Sequence, residues 1–221
     1  MDEIRLLQKE DVEVRVAQTT TTSGGVVKAN LLIYKNARVD MKILDELYTP
    51  MGWKRTHRLI GDRLYCLVEV WDKEKKEWVG KEDVGTESYT EKEKGQASDS
   101  FKRAGFCWGI GRELYTCPFV WINLRQDEWR MSNGRKQPKT RFYVDAIEYQ
   151  DGKVSYLSIV DDRGVERYKW GKHDDDAVGA ACLEAAGAGD LKELEAIYHK
   201  YEKQYKSNYC GEHYHCKYIA L

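Results

Sequence analysis

Three β-rich segments in close succession constrain the fold of this chain more than any other feature. They cover residues 52–59, 63–71 and 78–86, and the links I-G-D (60–62) and D-K-E-K-K-E (72–77) have the composition of tight turns. The middle segment alternates apolar with mixed positions, and its apolar positions are Leu64, Cys66, Val68 and Val70. One face is therefore apolar and the other half polar, which predicts an antiparallel meander covered on one side.

A long helix is predicted directly after this meander. Thr90 and Glu93 form the capping-box pattern T-E-K-E at its start. A narrow apolar stripe then recurs at helical spacing, formed by Ala97, Phe101, Ala104 and Trp108. We expect this stripe to lie on the covered face of the meander, which gives a β-β-β-α core.

The remaining segments add strands before and after this core. We predict a charged helix at 2–13, a polar turn at 19–25, a strand at 26–34, a helix at 40–47, strands at 119–124, 142–148, 154–160 and 165–170, and a polar loop at 125–141. From residue 174 the composition changes to Ala/Gly-rich and then to a heptad-like helical pattern. We therefore expect an α+β fold with extra β hairpins, divided into a core domain (1–173) and a C-terminal helical segment (174–221).

Composition limits the class of protein. The chain has 221 residues, of which 42% are apolar and 33% charged, so a packed core is expected. Its formal net charge is -1, so any basic surface must be local. The first residues lack the apolar stretch of a signal peptide, no apolar run reaches the length of a membrane span, and the six cysteines follow no disulfide framework. We expect a cytoplasmic protein without membrane contact.

Two adjacent cations, Lys102 and Arg103, lie on the predicted long helix. Because a helix advances about 100° per residue, both fall on the half opposite the apolar stripe. Asp99 precedes them by three and four residues, so ordinary intrahelical ion pairs of about 0.2–0.5 kcal/mol would explain both. Alternatively, two cations that diverge from a rigid helix can reach successive phosphates of one nucleic-acid strand. The spacing alone leaves both interpretations open.

A resemblance favours the second interpretation. E-D-V-G (82–85) at the end of a strand, D-S-F-K-R-A (99–104) on the following helix and M-G-W (51–53) at the start of the meander occur in this order. With these motifs the chain resembles the Rad52 family of single-strand annealing proteins, and its phage-type members most of all. The resemblance covers roughly residues 10–115.

The resemblance implies a binding protein rather than an enzyme, without a cofactor. We expect ATP-independent binding of single-stranded DNA and annealing of complementary strands in homologous recombination or DNA repair. The protein would be a homo-oligomeric ring with DNA in a basic groove, in the cytoplasm of a bacterium or a phage-infected cell. A single-strand binding protein is a candidate partner.

The resemblance also assigns residues to that groove. Lys102 and Arg103 match the lysine–arginine pair of the family's long helix, and Arg15 matches an arginine that precedes the first strand in the family. Better-known members carry a further arginine three residues after the pair, where this chain has Phe106. Arg112 is the nearby cation that we expect to compensate.

The segment W-K-R-T-H-R (53–58) adds two candidates from its own pattern. Alternation along a strand puts Lys54 on one face and Arg55 and His57 on the other. Trp53 or His57 would then be available to stack on a base. The alternative is an ordinary solvated outer strand.

Two further sequence features and one alternative form of DNA binding leave other functions open. Glu69, Lys81, Glu82 and Asp83 are the residue types of a metal-dependent nuclease site. A ring that protects DNA ends without annealing them is another alternative. The loop 125–141 holds six cations and Trp129, which suits either a second DNA contact or a solvated excursion.

The C-terminal segment C-G-E-H-Y-H-C (210–216) contains four candidate zinc ligands, Cys210, His213, His215 and Cys216. Their spacing is tighter than that of a two-pair zinc site, so we predict no metal site there. W-G-I-G (108–111) follows a helix and lacks the G-K-[S/T] of a phosphate-binding loop, so we expect no nucleotide hydrolysis.

Overall fold

The computed structural model describes residues 3–86, 92–132, 134–173, Lys192 and Ala196, with only the backbone at 92–94. The chain divides after Gly171 into two units, Met1–Gly171 and Lys172–Leu221, and nearly all described residues belong to the first. This first unit is an α+β structure with four small antiparallel sheets and, among the described residues, two α-helices. The α+β prediction is confirmed for it.

Eleven strands and two helices follow one another along the described ranges. The first part contains β1 (Glu13–Thr21), β2 (Val27–Tyr34), α1 (Ala37–Tyr48), β3 (Trp53–Ile60), β4 (Arg63–Asp72), β5 (Glu77–Val84) and α2 (Lys92–Trp108). The second part contains β6 (Val120–Asn123), β7 (Trp129–Ser132), β8 (Arg135–Pro138), β9 (Phe142–Gln150), β10 (Lys153–Asp161) and β11 (Glu166–Gly171). Short 3-10 turns cover Lys9–Asp11, Arg112–Thr116 and Gln126–Glu128.

Two three-stranded sheets enclose one part of the core. Their strand orders are β1-β2-β6 and β11-β10-β9. Strand β9 lies beside β1 and β11 beside β6, so the two sheets meet at both ends. Alternate residues of β2, such as Ala29 and Leu31, are buried between them together with Leu157 and Ile159 of β10.

The predicted meander and its helix are present. Strands β3, β4 and β5 pair in that order, and Cys66, Val68 and Val70 of β4 are buried beneath α2. Phe101 and Ala104 are fully buried on the facing side of α2, which confirms the predicted stripe. Burying a side chain of the size of Phe101 contributes about 2–3 kcal/mol. The β-β-β-α unit is therefore a packed platform for the outer surface of α2.

The N-terminal helix predicted at 2–13 is wrong. Only Lys9–Asp11 forms a 3-10 turn, residues 3–8 are irregular, and β1 begins at Glu13. The run from Val12 to Val16 alternates with a period of two, and that pattern favours a strand over a helix. Asp11 is buried and ion-paired with Arg5 (2.6 Å), so its charge does not mark a solvated helix face.

Two further differences concern loops. The polar turn predicted at 19–25 is shorter, because β1 continues to Thr21. The polar loop predicted at 125–141 contains the β7–β8 hairpin, which is described below. The predicted capping box at Thr90 and Glu93 and the C-terminal helices lie outside the described residues.

Candidate nucleic-acid interface

Helix α2 carries Lys102 and Arg103 on its outer surface, diverging to opposite sides. The Arg103 guanidinium lies over β5, 3.2 Å from Oδ1 of Asp83, and its side chain is 48% exposed. Lys102 is 34% exposed, with its ammonium 3.9 Å from Oδ1 of Asp99. The intrahelical pair is therefore present for Lys102 only and is long, while Arg103 has a partner on the neighbouring strand.

Asp99 also binds Thr86, so its carboxylate is not available to Lys102 and Arg103 alone. Its Oδ2 accepts hydrogen bonds from the backbone N–H and the hydroxyl of Thr86, both at 3.0 Å. The carboxylate thus ties the end of the E-D-V-G strand to α2. Exposed ion pairs of this kind contribute about 0–1 kcal/mol, so a phosphate can compete for both cations.

A buried ion pair lies where α1 and α2 meet. Lys35 Nζ contacts Oδ1 of Asp40 at 2.5 Å, and both side chains are buried. Gly105 of α2 lies directly against this carboxylate, since a Cβ there would be 2.3 Å from Oδ1. Burial raises the pKa of Asp40 to about 6, although the positive charge of Lys35 acts in the opposite direction. Burial also disfavours the charged form of Lys35 and therefore lowers its pKa. The sequence did not indicate this pair, because Asp40 lies in the first turn of α1, where acidic residues are common on exposed helices.

Arg112 closes the C-terminal end of α2. Its Nε donates to the carbonyl of Phe106 (2.8 Å) and its Nη2 to that of Cys107 (2.7 Å). Lys81 of β5 donates to the same Cys107 carbonyl (3.0 Å). These bonds satisfy carbonyls in the last turn of α2, which have no partner within the helix. They also place two more cations, Lys81 and Arg112, at the C-terminal end of α2.

Lys54 and Arg55 lie on opposite faces of the meander, as alternation predicts. Arg55 is on the helix side, with its Cζ 4.7 Å from the centroid of the Phe101 ring. Trp53 stacks on Phe101 with centroids 6.0 Å apart, and His57 Nε2 lies 3.2 Å from the carbonyl of Ala97. The two side chains proposed for base stacking therefore face α2.

The other face of the meander presents an aromatic pair that the sequence reasoning missed. Trp71 and Trp78 are cross-strand partners, 38% exposed each, with ring centroids 5.5 Å apart. Lys54 lies over Trp78, 4.2 Å from the ring centroid, and 3.4 Å from Glu69. The sequence contained the pattern for this pair, because Trp71 and Trp78 directly flank the turn at 72–77 and residues at equal distances from a hairpin turn lie opposite each other.

Arg15 belongs to a different sheet. It lies on β1, opposite Leu32 of β2, and its Cζ is 5.6 Å from the centroid of the Tyr34 ring. Four of the six predicted cations therefore lie on α2 or contact it (Arg55, Lys102, Arg103 and Arg112), whereas Lys54 and Arg15 lie on other faces.

The candidate nuclease residues do not converge. Lys81 and Asp83 pair with the buried face of β4, whereas Glu69 and Glu82 lie on the opposite face of the sheet. Glu82 accepts from Arg58 at 2.5 Å. Within the described ranges no three His, Cys, Asp or Glu side chains are placed to hold a metal ion. The candidate zinc ligands at 210–216 lie outside these ranges.

None of the helices in the described part of the chain is long and apolar enough to span a membrane. Comparisons of the chain with models of protein families, with curated proteins and with solved structures find no match.

Proposed function

We propose that this protein binds single-stranded DNA through Lys102 and Arg103 and anneals complementary strands without ATP, as a homo-oligomeric ring in recombination or repair. The proposal rests on the resemblance of the motifs at 51–53, 82–85 and 99–104 to the Rad52 family. The single structural observation that supports it is the rigid outward placement of the two adjacent cations on α2.

Rigidity makes this placement suitable for phosphates. Phe101 and Ala104 fix the underside of α2 on the meander, Gly105 fixes its flank against Asp40, and Arg112 closes its end. The two cations are therefore preorganised, and little entropy is lost when they bind a strand. Their divergence suits neighbouring phosphates on one backbone rather than a single anion.

Annealing follows from contacts that leave the bases free. Phosphate contacts carry no sequence information, so any strand can be held in an extended form with its base edges outward. A second strand can then sample registers until complementary bases pair. Binding depends on the release of counterions, so it should weaken steeply as the salt concentration rises.

Equilibrium binding to fluorescent oligonucleotides tests the site. Lys102→Ala/Arg103→Ala should weaken binding of every sequence to a similar degree and lower the salt slope by about 1.4, at about 0.7 for each lost phosphate contact. The matched control is Lys102→Arg/Arg103→Lys, which keeps both charges and should stay near wild type. Unchanged binding by the alanine variant would show that α2 does not contact the DNA.

Annealing of complementary oligonucleotides in EDTA without ATP tests the activity. We expect acceleration by wild type and its loss in the alanine variant. Tight binding with nuclease protection of ends but no acceleration would instead favour the end-protecting oligomer. Product fragments that form only in magnesium would favour the nuclease.

A further inference from the structure

A second group of cations lies on the β7–β8 hairpin and the link to β9. Residues 129–141 contain five cations and no acid, in a chain whose net charge is -1. The five are Arg130, Arg135, Lys136, Lys139 and Arg141. Such a concentration of one sign is local, so it is a property of this hairpin and not of the whole protein.

Most of these cations have no internal partner. Within the described part of the chain, the side chains of Arg130, Arg135, Lys139 and Arg141 form no ion pair or hydrogen bond, and all four are exposed. Lys102 and Arg103, by contrast, each have a carboxylate neighbour. Unpaired charges that repel one another raise the energy of the free protein, and a polyanion removes that cost.

The hairpin is held firmly on the rest of the first unit. Trp129 packs against the core, and Lys136 lies over its ring at 4.6 Å. The Lys136 carbonyl accepts from the hydroxyl of Thr19 (2.6 Å), and its Nζ donates to that of Thr21 (2.9 Å). The backbone N–H of Lys139 donates to the Glu128 carbonyl at 2.7 Å. These contacts hold the hairpin backbone in place, so the unpaired cations Arg130, Arg135 and Lys139 project from a fixed backbone.

The strand register sorts the side chains of the hairpin by face. Trp129 pairs with Pro138 and Met131 with Lys136 on one face, where Trp129 packs against the core and Met131 is 60% exposed. The alternate pairs lie on the opposite face and are Arg130 with Gln137 and Ser132 with Arg135. Arginine, serine and glutamine are side chains that commonly contact phosphate oxygens. The two arginines are diagonal neighbours on this face, and such residues are about 7–8 Å apart.

We propose that the outer face of the β7–β8 hairpin is a further binding surface for the phosphate backbone of nucleic acid. This rests on the proposed function, which supplies the polyanion, but it concerns residues that the resemblance does not assign. The face carries no aromatic side chain, so it makes phosphate contacts only. It adds affinity and salt dependence without sequence preference.

The test compares two double variants with equal loss of charge. Arg130→Ala/Arg135→Ala removes both arginines of the outer face. Arg63→Ala/Lys153→Ala removes one exposed cation from the first position of each of two other strands, β4 and β10, and serves as the control. Binding of a fluorescent single-stranded oligonucleotide, and separately of the corresponding duplex, is measured from low to high salt with purified full-length protein. Circular dichroism verifies the fold of each variant.

We expect the hairpin variant to bind about ten-fold more weakly and to have a salt slope lower by about 1.4, with the control near wild type. Equal affinity of the hairpin variant and the control overturns this proposal but leaves the proposed function intact if Lys102→Ala/Arg103→Ala still weakens binding. Absence of binding by wild type overturns both. A loss confined to a double-stranded probe assigns the hairpin to duplex instead of single strands and also overturns the proposal as stated.

Discussion

Gly105→Ala should destabilise the protein, although the same change inside an ordinary helix stabilises it. Alanine is favoured over glycine in a helix interior by about 1 kcal/mol. Here the new Cβ would lie 2.3 Å from Oδ1 of Asp40 and 3.2 Å from its Cγ, too close for either atom to remain in place. Asp40 is fully buried, and the oxygen that the new Cβ would displace is the one that pairs with Lys35 at 2.5 Å.

The magnitude follows from the ion pair that must break. Separating a buried pair costs about 3–5 kcal/mol, because it leaves a buried charge uncompensated. Subtracting the gain in helix propensity gives a net loss of about 2–4 kcal/mol. Urea unfolding at pH 7.5 and fixed protein concentration measures this difference directly.

The control for this prediction is the same substitution, Gly105→Ala, in a variant that lacks the Lys35–Asp40 ion pair. In Lys35→Met/Asp40→Ala the obstructing carboxylate is gone, so Gly105→Ala should there be neutral or stabilising by up to about 1 kcal/mol. Stabilisation of the same size in the native background would refute the close approach of α1 and α2.

Three other outcomes can be measured by simpler means. Because burial raises the pKa of Asp40 to about 6 from the ordinary 3.8, the folded state takes up a proton before the unfolded state does as the pH falls. The stability of wild type relative to Asp40→Asn should therefore rise by about 1 kcal/mol from pH 7.5 to pH 5, and a fall would contradict the burial of this carboxyl group. Arg167→Ala leaves buried Asp161 (3.1 Å) without its paired cation and buried Glu128 (2.5 Å) with only the longer pair to Arg125 (3.8 Å), so urea unfolding should show a loss of about 2–4 kcal/mol. Burial raises the pKa of the Cys66 thiol to about 11, so iodoacetamide at pH 8 should modify this residue only in urea, as peptide mass spectrometry can show.

Local periodicity was sufficient to predict the meander and α2. Their apolar positions repeat every two residues in β4 and at helical spacing in α2, and burial of Val68, Phe101 and Ala104 matches both patterns. The N-terminal segment was mispredicted as a helix because its charges suggested a solvated surface. Asp11 instead makes a buried ion pair with Arg5, and such a partner is fixed by tertiary contact.

The candidate interface was predictable only in part. Periodicity alone puts Lys102 and Arg103 on the outer side of α2. The partner of Arg103, however, depends on where β5 lies under the helix, and Asp83 is 20 residues away in sequence. The contact between Gly105 and Asp40 likewise depends on the packing of two helices, so no pattern along the chain reveals it.

The most direct test of the central claim is the annealing rate of two complementary fluorescent oligonucleotides in EDTA without ATP. We expect wild type to accelerate pairing, Lys102→Arg/Arg103→Lys to retain most of that acceleration, and Lys102→Ala/Arg103→Ala to lose it while remaining folded. Equal acceleration by all three proteins would contradict the assignment of α2 as the DNA-binding surface. No acceleration by wild type would contradict annealing itself.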